Sequence, residues 1–150
     1  EFYSNNKYQI ILQCGHNNYN KIPDYIKNNK QFIIKKFFND MSCIYNAADI
    51  VIARAGALTI SELSFLGKTM ILIPYKYAAD NHQYLNAIEL AEKNACILIH
   101  QDNLKTGILE KKVLELFNNN DQIKDLEKNA LKYSYPKATE NIWKEIRNLL

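Results

Sequence analysis

Five short runs of this chain are nearly continuous in apolar character and rich in β-branched residues: residues 8–13, 31–36, 49–53, 69–74 and 96–100. Runs of this kind suit strands buried on both faces, which is how strands look in a parallel sheet covered by helices on each side. Between them lie segments with helical spacing, from Ile22 to Asn29, Met41 to Ala48, Ala57 to Leu66 and Asn81 to Lys93. Strand and helix alternate, so the crossovers are right-handed and the expected fold is an α/β, doubly wound parallel sheet. After residue 103 the pattern is helical alone. One apolar stripe runs through Ile108, Val113, Leu116 and Phe117 and another through Ile142, Ile146 and Leu149. They predict a helical C-terminal tail that closes the domain.

At 150 residues, without an internal repeat or a Gly/Ser/Pro-rich linker, one domain is expected. Apolar residues make up 47% and charged residues 23% of the chain, which excludes wholesale disorder. The longest apolar run, around Met70 to Pro74, falls far short of the ~20 residues of a membrane-spanning helix. The start, Glu1-Phe2-Tyr3-Ser4-Asn5-Asn6, lacks the features of a secretory signal and reads as a chain entered partway through. Cys14, Cys43 and Cys96 are spaced for neither a zinc site nor a disulfide framework, which points to a reducing, cytosolic compartment. The net charge of +3 is dispersed, and no basic run exceeds the pairs Lys35-Lys36 and Lys111-Lys112, so nucleic acid is not an expected partner. With 17 lysines against 2 arginines, the placement of Arg54 stands out.

In open α/β sheets ligands lie beyond the carboxyl ends of the strands, so the turns there are where chemistry is sought. After the run 49–53 comes Arg54-Ala55-Gly56-Ala57-Leu58-Thr59-Ile60-Ser61-Glu62. Small residues let the backbone approach a ligand, and a helix starting near Ala57 aims its unpaired amides at an anion such as a diphosphate. Glu62, one turn in, is a double acceptor suited to neighbouring ribose hydroxyls. Thr59-x-x-Glu62 equally fits a capping box that serves only the helix's own amides. After the run 69–74, Asp80, Asn81, His82, Gln83 and Asn86 form a dense polar set suited to sugar hydroxyls, or a polar loop with Asp80 as N-cap. His82 has no partner at metal spacing, and Cys14 has no base partner in sequence, so neither a metal nor a thiol nucleophile is expected.

The runs Ala48-Asp49-Ile50-Val51-Ile52-Ala53-Arg54-Ala55-Gly56-Ala57-Leu58-Thr59-Ile60-Ser61-Glu62-Leu63 and Pro74-Tyr75-Lys76-Tyr77-Ala78-Ala79-Asp80-Asn81-His82-Gln83-Tyr84-Leu85-Asn86-Ala87 closely resemble the C-terminal domain of the MurG-type N-acetylglucosaminyltransferases. The likeness extends from Gln13-Cys14-Gly15 through Phe37-Phe38-Asn39-Asp40-Met41 to Ala138-Thr139-Glu140. It implies the Rossmann-like C-terminal half of a two-domain GT-B glycosyltransferase. The implied reaction is inverting transfer of GlcNAc from UDP-GlcNAc to undecaprenyl-diphospho-MurNAc-pentapeptide, in peptidoglycan synthesis, which supports cell shape and division. No metal or cofactor is implied. The enzyme would sit on the cytoplasmic face of the bacterial inner membrane as a peripheral protein.

Residue by residue, the resemblance puts uracil against the Phe38 backbone and the diphosphate at Ala57, Leu58 and Thr59, with Ile60 and Ser61 completing that stretch. It gives the ribose to Glu62 and the GlcNAc hydroxyls to Gln83 with His82 beside it, with Asn86 bracing the loop. Cys14 stands where the family usually has a serine lining the donor site. The N-terminal acceptor domain, the Gly-rich loop and the first strand of the C-terminal domain have no counterpart in the chain. A free sheet edge is therefore expected beside residues 8–13, no catalytic residue is assigned here, and the isolated chain is expected to bind donor without turning it over. The lipid-linked acceptor would be reached through the absent domain. Alternatives are a donor-binding subunit of a split UDP-GlcNAc transferase, or a non-catalytic nucleotide-binding or interaction module.

Overall fold

The computed structural model describes residues 8–149; the opening hexapeptide discussed above lies outside them. The elements run β1 (Ile10–Gln13), α1 (His16–Tyr19), α2 (Asp24–Lys27), β2 (Phe32–Lys35), α3 (Met41–Ala47), β3 (Ile50–Ala53), α4 (Ala57–Phe65), β4 (Thr69–Leu72), α5 (His82–Glu92), β5 (Ile97–Leu98), α6 (Ile108–Phe117), α7 (Asn120–Leu131) and α8 (Ala138–Leu149). Short 3₁₀ segments precede α5 and α6, at Ala79–Asn81 and Gln101–Thr106. All five apolar runs form strands, and every strand pair is parallel. The helix expected over 22–29 is shorter, opening after Pro23 and ending at Lys27.

The chain forms two compact units, one ending at Ala48 and the other beginning at Asp49. In the N-terminal unit β1 pairs with β2, Ile10 opposite Phe32 and Gln13 opposite Lys35. In the C-terminal unit the strand order is β3-β4-β5, with Ile50 opposite Thr69 and Ile71 opposite Ile97. The strands thus pair as two parallel sheets rather than as one. Among the described residues β1, β2, β3 and β5 each keep one edge without a strand partner.

The core belongs mostly to the C-terminal unit. All four residues of β4 are buried, as its central position requires, and Leu63 of α4, Ala87 and Leu90 of α5, Val113 and Leu116 of α6, and Leu126 and Ala130 of α7 are buried as well. α4 stops at Gly67, whose φ of +60° permits the Schellman pair of bonds, Lys68 N–H to the Leu63 carbonyl (2.9 Å) and Gly67 N–H to the Ser64 carbonyl (3.1 Å). A Cβ there would also meet the Leu131 side chain at 2.9 Å, so α7 packs where only glycine leaves room. α6 and α7 supply the helical layer that the sequence predicts. α8 does not: its apolar stripe forms, but Ile142, Trp143 and Ile146 are exposed, because no surface among the described residues covers them.

Candidate functional site

Ile73 N–H continues the β3–β4 ladder to the Ala53 carbonyl (2.9 Å), and Ile99 N–H continues the β4–β5 ladder to the Leu72 carbonyl (2.9 Å). The ladders bring the turns after β3, β4 and β5 to one end of the sheet. In the first turn Gly56 is the N-cap of α4, and the first helical bond runs from Ile60 N–H to the Gly56 carbonyl at 3.0 Å. The amides of Ala57, Leu58 and Thr59 precede that bond, and no side chain caps them. The capping box is therefore not formed. The helix starts three residues earlier than that motif requires, so Thr59 lies inside the first turn and Glu62 in the second. Ala57 and Leu58 are exposed, Leu58 at 73%, Ser61 is exposed, and Thr59, Ile60 and Glu62 are half-buried. Three outward amides at the positive end of a nine-residue helix suit an anion, and the Glu62 carboxylate one turn on suits a pair of hydroxyls.

The turn after β4 is laced to this one. Asn86 Nδ2 donates to the Ala55 carbonyl (3.3 Å), which commits its NH₂ and leaves the amide oxygen as an acceptor. Gln83 Oε1 accepts from Tyr75 N–H (2.9 Å); a backbone N–H only donates, so this bond fixes which way the Gln83 amide points and leaves its NH₂ as a donor. His82 lies nearby on the first turn of α5, its Nδ1 2.6 Å from the Ala79 carbonyl, so Nδ1 carries a proton in that contact. Asp80 is not the N-cap of α5. The N-cap is Asn81, and both residues sit in left-handed backbone, with φ of 46° and 54° and no side-chain cap. That conformation is tolerated best by Asn and Asp among non-glycine residues, and it lets the loop bend sharply into the helix.

Two groups outside the expected set hold this end of the sheet. The Arg54 guanidinium nitrogen Nη1 lies 3.1 Å from the Ile73 carbonyl, 3.2 Å from the Pro74 carbonyl and 2.7 Å from Gln101 Oε1, and the guanidinium carbon is 5.5 Å from the centre of the Tyr75 ring. Lys76 Nζ pairs with Asp102 Oδ1 at 2.7 Å. Each partner stabilises the other's charged form, the Lys76 ammonium being held above and the Asp102 carboxyl below its ordinary range, chiefly through that hydrogen bond. Both groups are at the surface, so the pair guides the loop and adds little stability.

In the N-terminal unit, Phe38 is buried, with its N–H donated to Gln13 Oε1 (2.9 Å). Cys14 is half-buried, with its backbone N–H on the Lys35 carbonyl (3.1 Å) and its Sγ 3.4 Å from the same oxygen. Among the described residues no three His, Cys, Asp or Glu side chains gather as a metal would need, and no helix is long and apolar enough to cross a membrane. In the C-terminal unit Asn86 ties α5 to the turn that opens α4, with Gln83 one turn earlier on α5, while Cys14 and Phe38 lie near the strand ends of the N-terminal unit. Gln13, Tyr75 and Gln101 could not be singled out from sequence, since each acts through a partner 8 to 47 positions away.

Parallel strands with helices between them, and a helix start without side-chain caps at their carboxyl end, define the class: the C-terminal domain of a GT-B-type glycosyltransferase. The chain belongs to the glycosyltransferase family 28 C-terminal domain family, whose model matches residues 2–142. Two curated relatives are both named UDP-N-acetylglucosamine–N-acetylmuramyl-(pentapeptide) pyrophosphoryl-undecaprenol N-acetylglucosamine transferase. The one from Thermodesulfovibrio yellowstonii is 40% identical over 146 residues, covering 97% of this chain and 40% of the relative. The one from Rickettsia felis is 43% identical over 129 residues, covering 85% and 36%. The crystal structure of MurG from Acinetobacter baumannii superposes with a TM-score of 0.81 at 27% identity, covering 93% of this chain and 43% of that one. The chain spans about two fifths of the length of the curated relatives it matches.

Proposed function

We propose that this chain is the donor-binding half of an inverting N-acetylglucosaminyltransferase, one that moves GlcNAc from UDP-GlcNAc to undecaprenyl-diphospho-MurNAc-pentapeptide during peptidoglycan synthesis. The lipid-linked acceptor and the catalytic base belong to an N-terminal domain, and the whole enzyme works at the cytoplasmic face of the inner membrane. The observation that carries the reading is the N-terminus of α4, where three amides without side-chain caps face outward and Glu62 stands one turn further on.

The diphosphate takes the amides of Ala57, Leu58 and Thr59, with Ile60 and Ser61 shaping the same stretch. Glu62 accepts from the ribose hydroxyls. The NH₂ of Gln83 and the amide oxygen of Asn86, each oriented by its existing bond, read GlcNAc hydroxyls as donor and acceptor, and His82 stands beside them. Within the N-terminal unit, the Phe38 N–H, held by Gln13 Oε1, is the group suited to a uracil edge, and Cys14 lies at the same end of β1. With these groups the chain binds donor, and chemistry requires the acceptor domain.

Calorimetric titration with UDP-GlcNAc, with ADP-ribose as control, tests the reading. Saturable, uridine-selective binding is expected, and Glu62→Ala should weaken it by ~1–3 kcal/mol, the range for losing hydrogen bonds to a charged acceptor. A folded chain that binds neither nucleotide, or that binds both alike, refutes the reading.

A further inference from the structure

Arg54 is an exposed arginine in a chain that elsewhere uses lysine almost throughout, yet its guanidinium is committed inward. Nη1 carries two hydrogens and has three acceptors within 3.2 Å: the carbonyls of Ile73 and Pro74, and Oε1 of Gln101. At least one N–H is shared. The guanidinium carbon also lies 5.5 Å from the centre of the Tyr75 ring, close enough for cation–π attraction. One planar group from the turn after β3 therefore grips residues 73 to 75, the exit of β4, and ties them to the start of the 3₁₀ segment after β5. Gln83 grips the same exit through Tyr75 N–H (2.9 Å). Residues 73–75 are thus held between Arg54 and Gln83, and the direction of the Gln83 amide depends on where the Tyr75 N–H points.

We propose that Arg54 is a positioning residue for sugar recognition, clamping the exit of β4 so that the Gln83 amide presents its NH₂ to the hexose of a nucleotide sugar. The proposal rests on the donor-binding reading above and adds to it a division of labour. Nucleotide affinity comes from α4, and discrimination of the sugar comes from a loop that Arg54 holds in place. Lysine would not replace it, because a single ammonium point lacks the planar surface that lies over Tyr75.

The test uses this chain with UDP and UDP-GlcNAc as probes, comparing wild type, Arg54→Ala, Arg54→Lys and Gln101→Leu, with amide exchange at Tyr75 as a second readout. In Arg54→Ala, UDP affinity should stay within about twofold while the preference for UDP-GlcNAc over UDP is lost, and Tyr75 N–H should exchange about tenfold faster or more. Arg54→Lys and Gln101→Leu should show the same changes in smaller degree. If Arg54→Ala fails to fold, these two variants carry the comparison.

Equal weakening of UDP and UDP-GlcNAc, restored by Arg54→Lys, would make Arg54 a counter-charge for the diphosphate and overturn the proposal. Unchanged Tyr75 exchange would overturn it as well. If wild type binds no uridine nucleotide, the donor-binding reading fails, and with it the role in sugar recognition. The Tyr75 exchange would then report only whether the clamp exists.

Discussion

The two units are built from the same kind of element and are supported very differently. Both use parallel strands of four residues or fewer, with helices between them. The C-terminal unit buries β4 along its whole length, with α7 packed against it and α4 packed against α7, whereas the N-terminal unit has only Phe38 and Tyr45 among the buried apolar residues of the described chain. Charge divides in the same way. Six lysines face three acids before residue 49, and thirteen basic residues balance thirteen acids after it, so the whole net charge of +3 lies in the N-terminal unit. A strand paired on both sides and covered on both faces is a core by itself. A two-stranded sheet, without a strand partner at either edge among the described residues and with little apolar cover, is only marginally stable.

The largest effect should come from the middle of the well-supported unit. Leu126→Ala removes a fully buried side chain of α7 and should destabilise the C-terminal unit by about 2–5 kcal/mol in urea unfolding. Ile33→Ala in β2, at a position already 47% exposed, should cost no more than about 1 kcal/mol. Equal costs for the two would break the contrast.

Hydrogen exchange sharpens it without mutation. The amides of Met70, Ile71 and Leu72 should be among the slowest in the chain, and those of Ile11 and Leu12 in β1 should exchange faster by roughly a hundredfold, as local opening of a poorly covered pair requires. Matching rates would mean that the two units open together.

The narrowest prediction concerns pH. Burial pushes the Cys96 thiol from its ordinary 9.0 up to about 12, so the folded state keeps a proton that the unfolded chain releases. Its contribution is complete below about pH 9 and is lost as pH rises from there towards 12. Melting temperatures of wild type and Cys96→Ala should therefore converge across that window. Curves that stay parallel would mean that the thiol is not held in the apolar core.

Much of this architecture is legible in the sequence, because continuous β-branched runs have few ways to be buried other than as strands of a covered parallel sheet. Strand positions, the α4 start and the polar opening of α5 follow from local pattern. The alternatives that the structure rejects have a physical pattern too. Thr59-x-x-Glu62 satisfies the spacing of a capping box, but the helix begins at Ala57, with Gly56 in place of Thr59 as its N-cap. Asp80 has the chemistry of an N-cap, but two successive left-handed residues move the helix start beyond it. The apolar stripe of α8 is real, yet periodicity states only that a face wants cover and cannot say what covers it.

By itself the sequence determined the parallel α/β class, the family, and the residues that face the carboxyl end of the strands, since each is written in runs or motifs fewer than twenty residues long. Only the tertiary structure decided that the strands pair as two sheets, that the α4 amides stay without side-chain caps, and that Arg54 and Gln83 hold the exit of β4 between them. Those outcomes depend on contacts between residues far apart in the chain, such as Arg54 with Gln101 across 47 positions, and no local pattern encodes a distance of that kind.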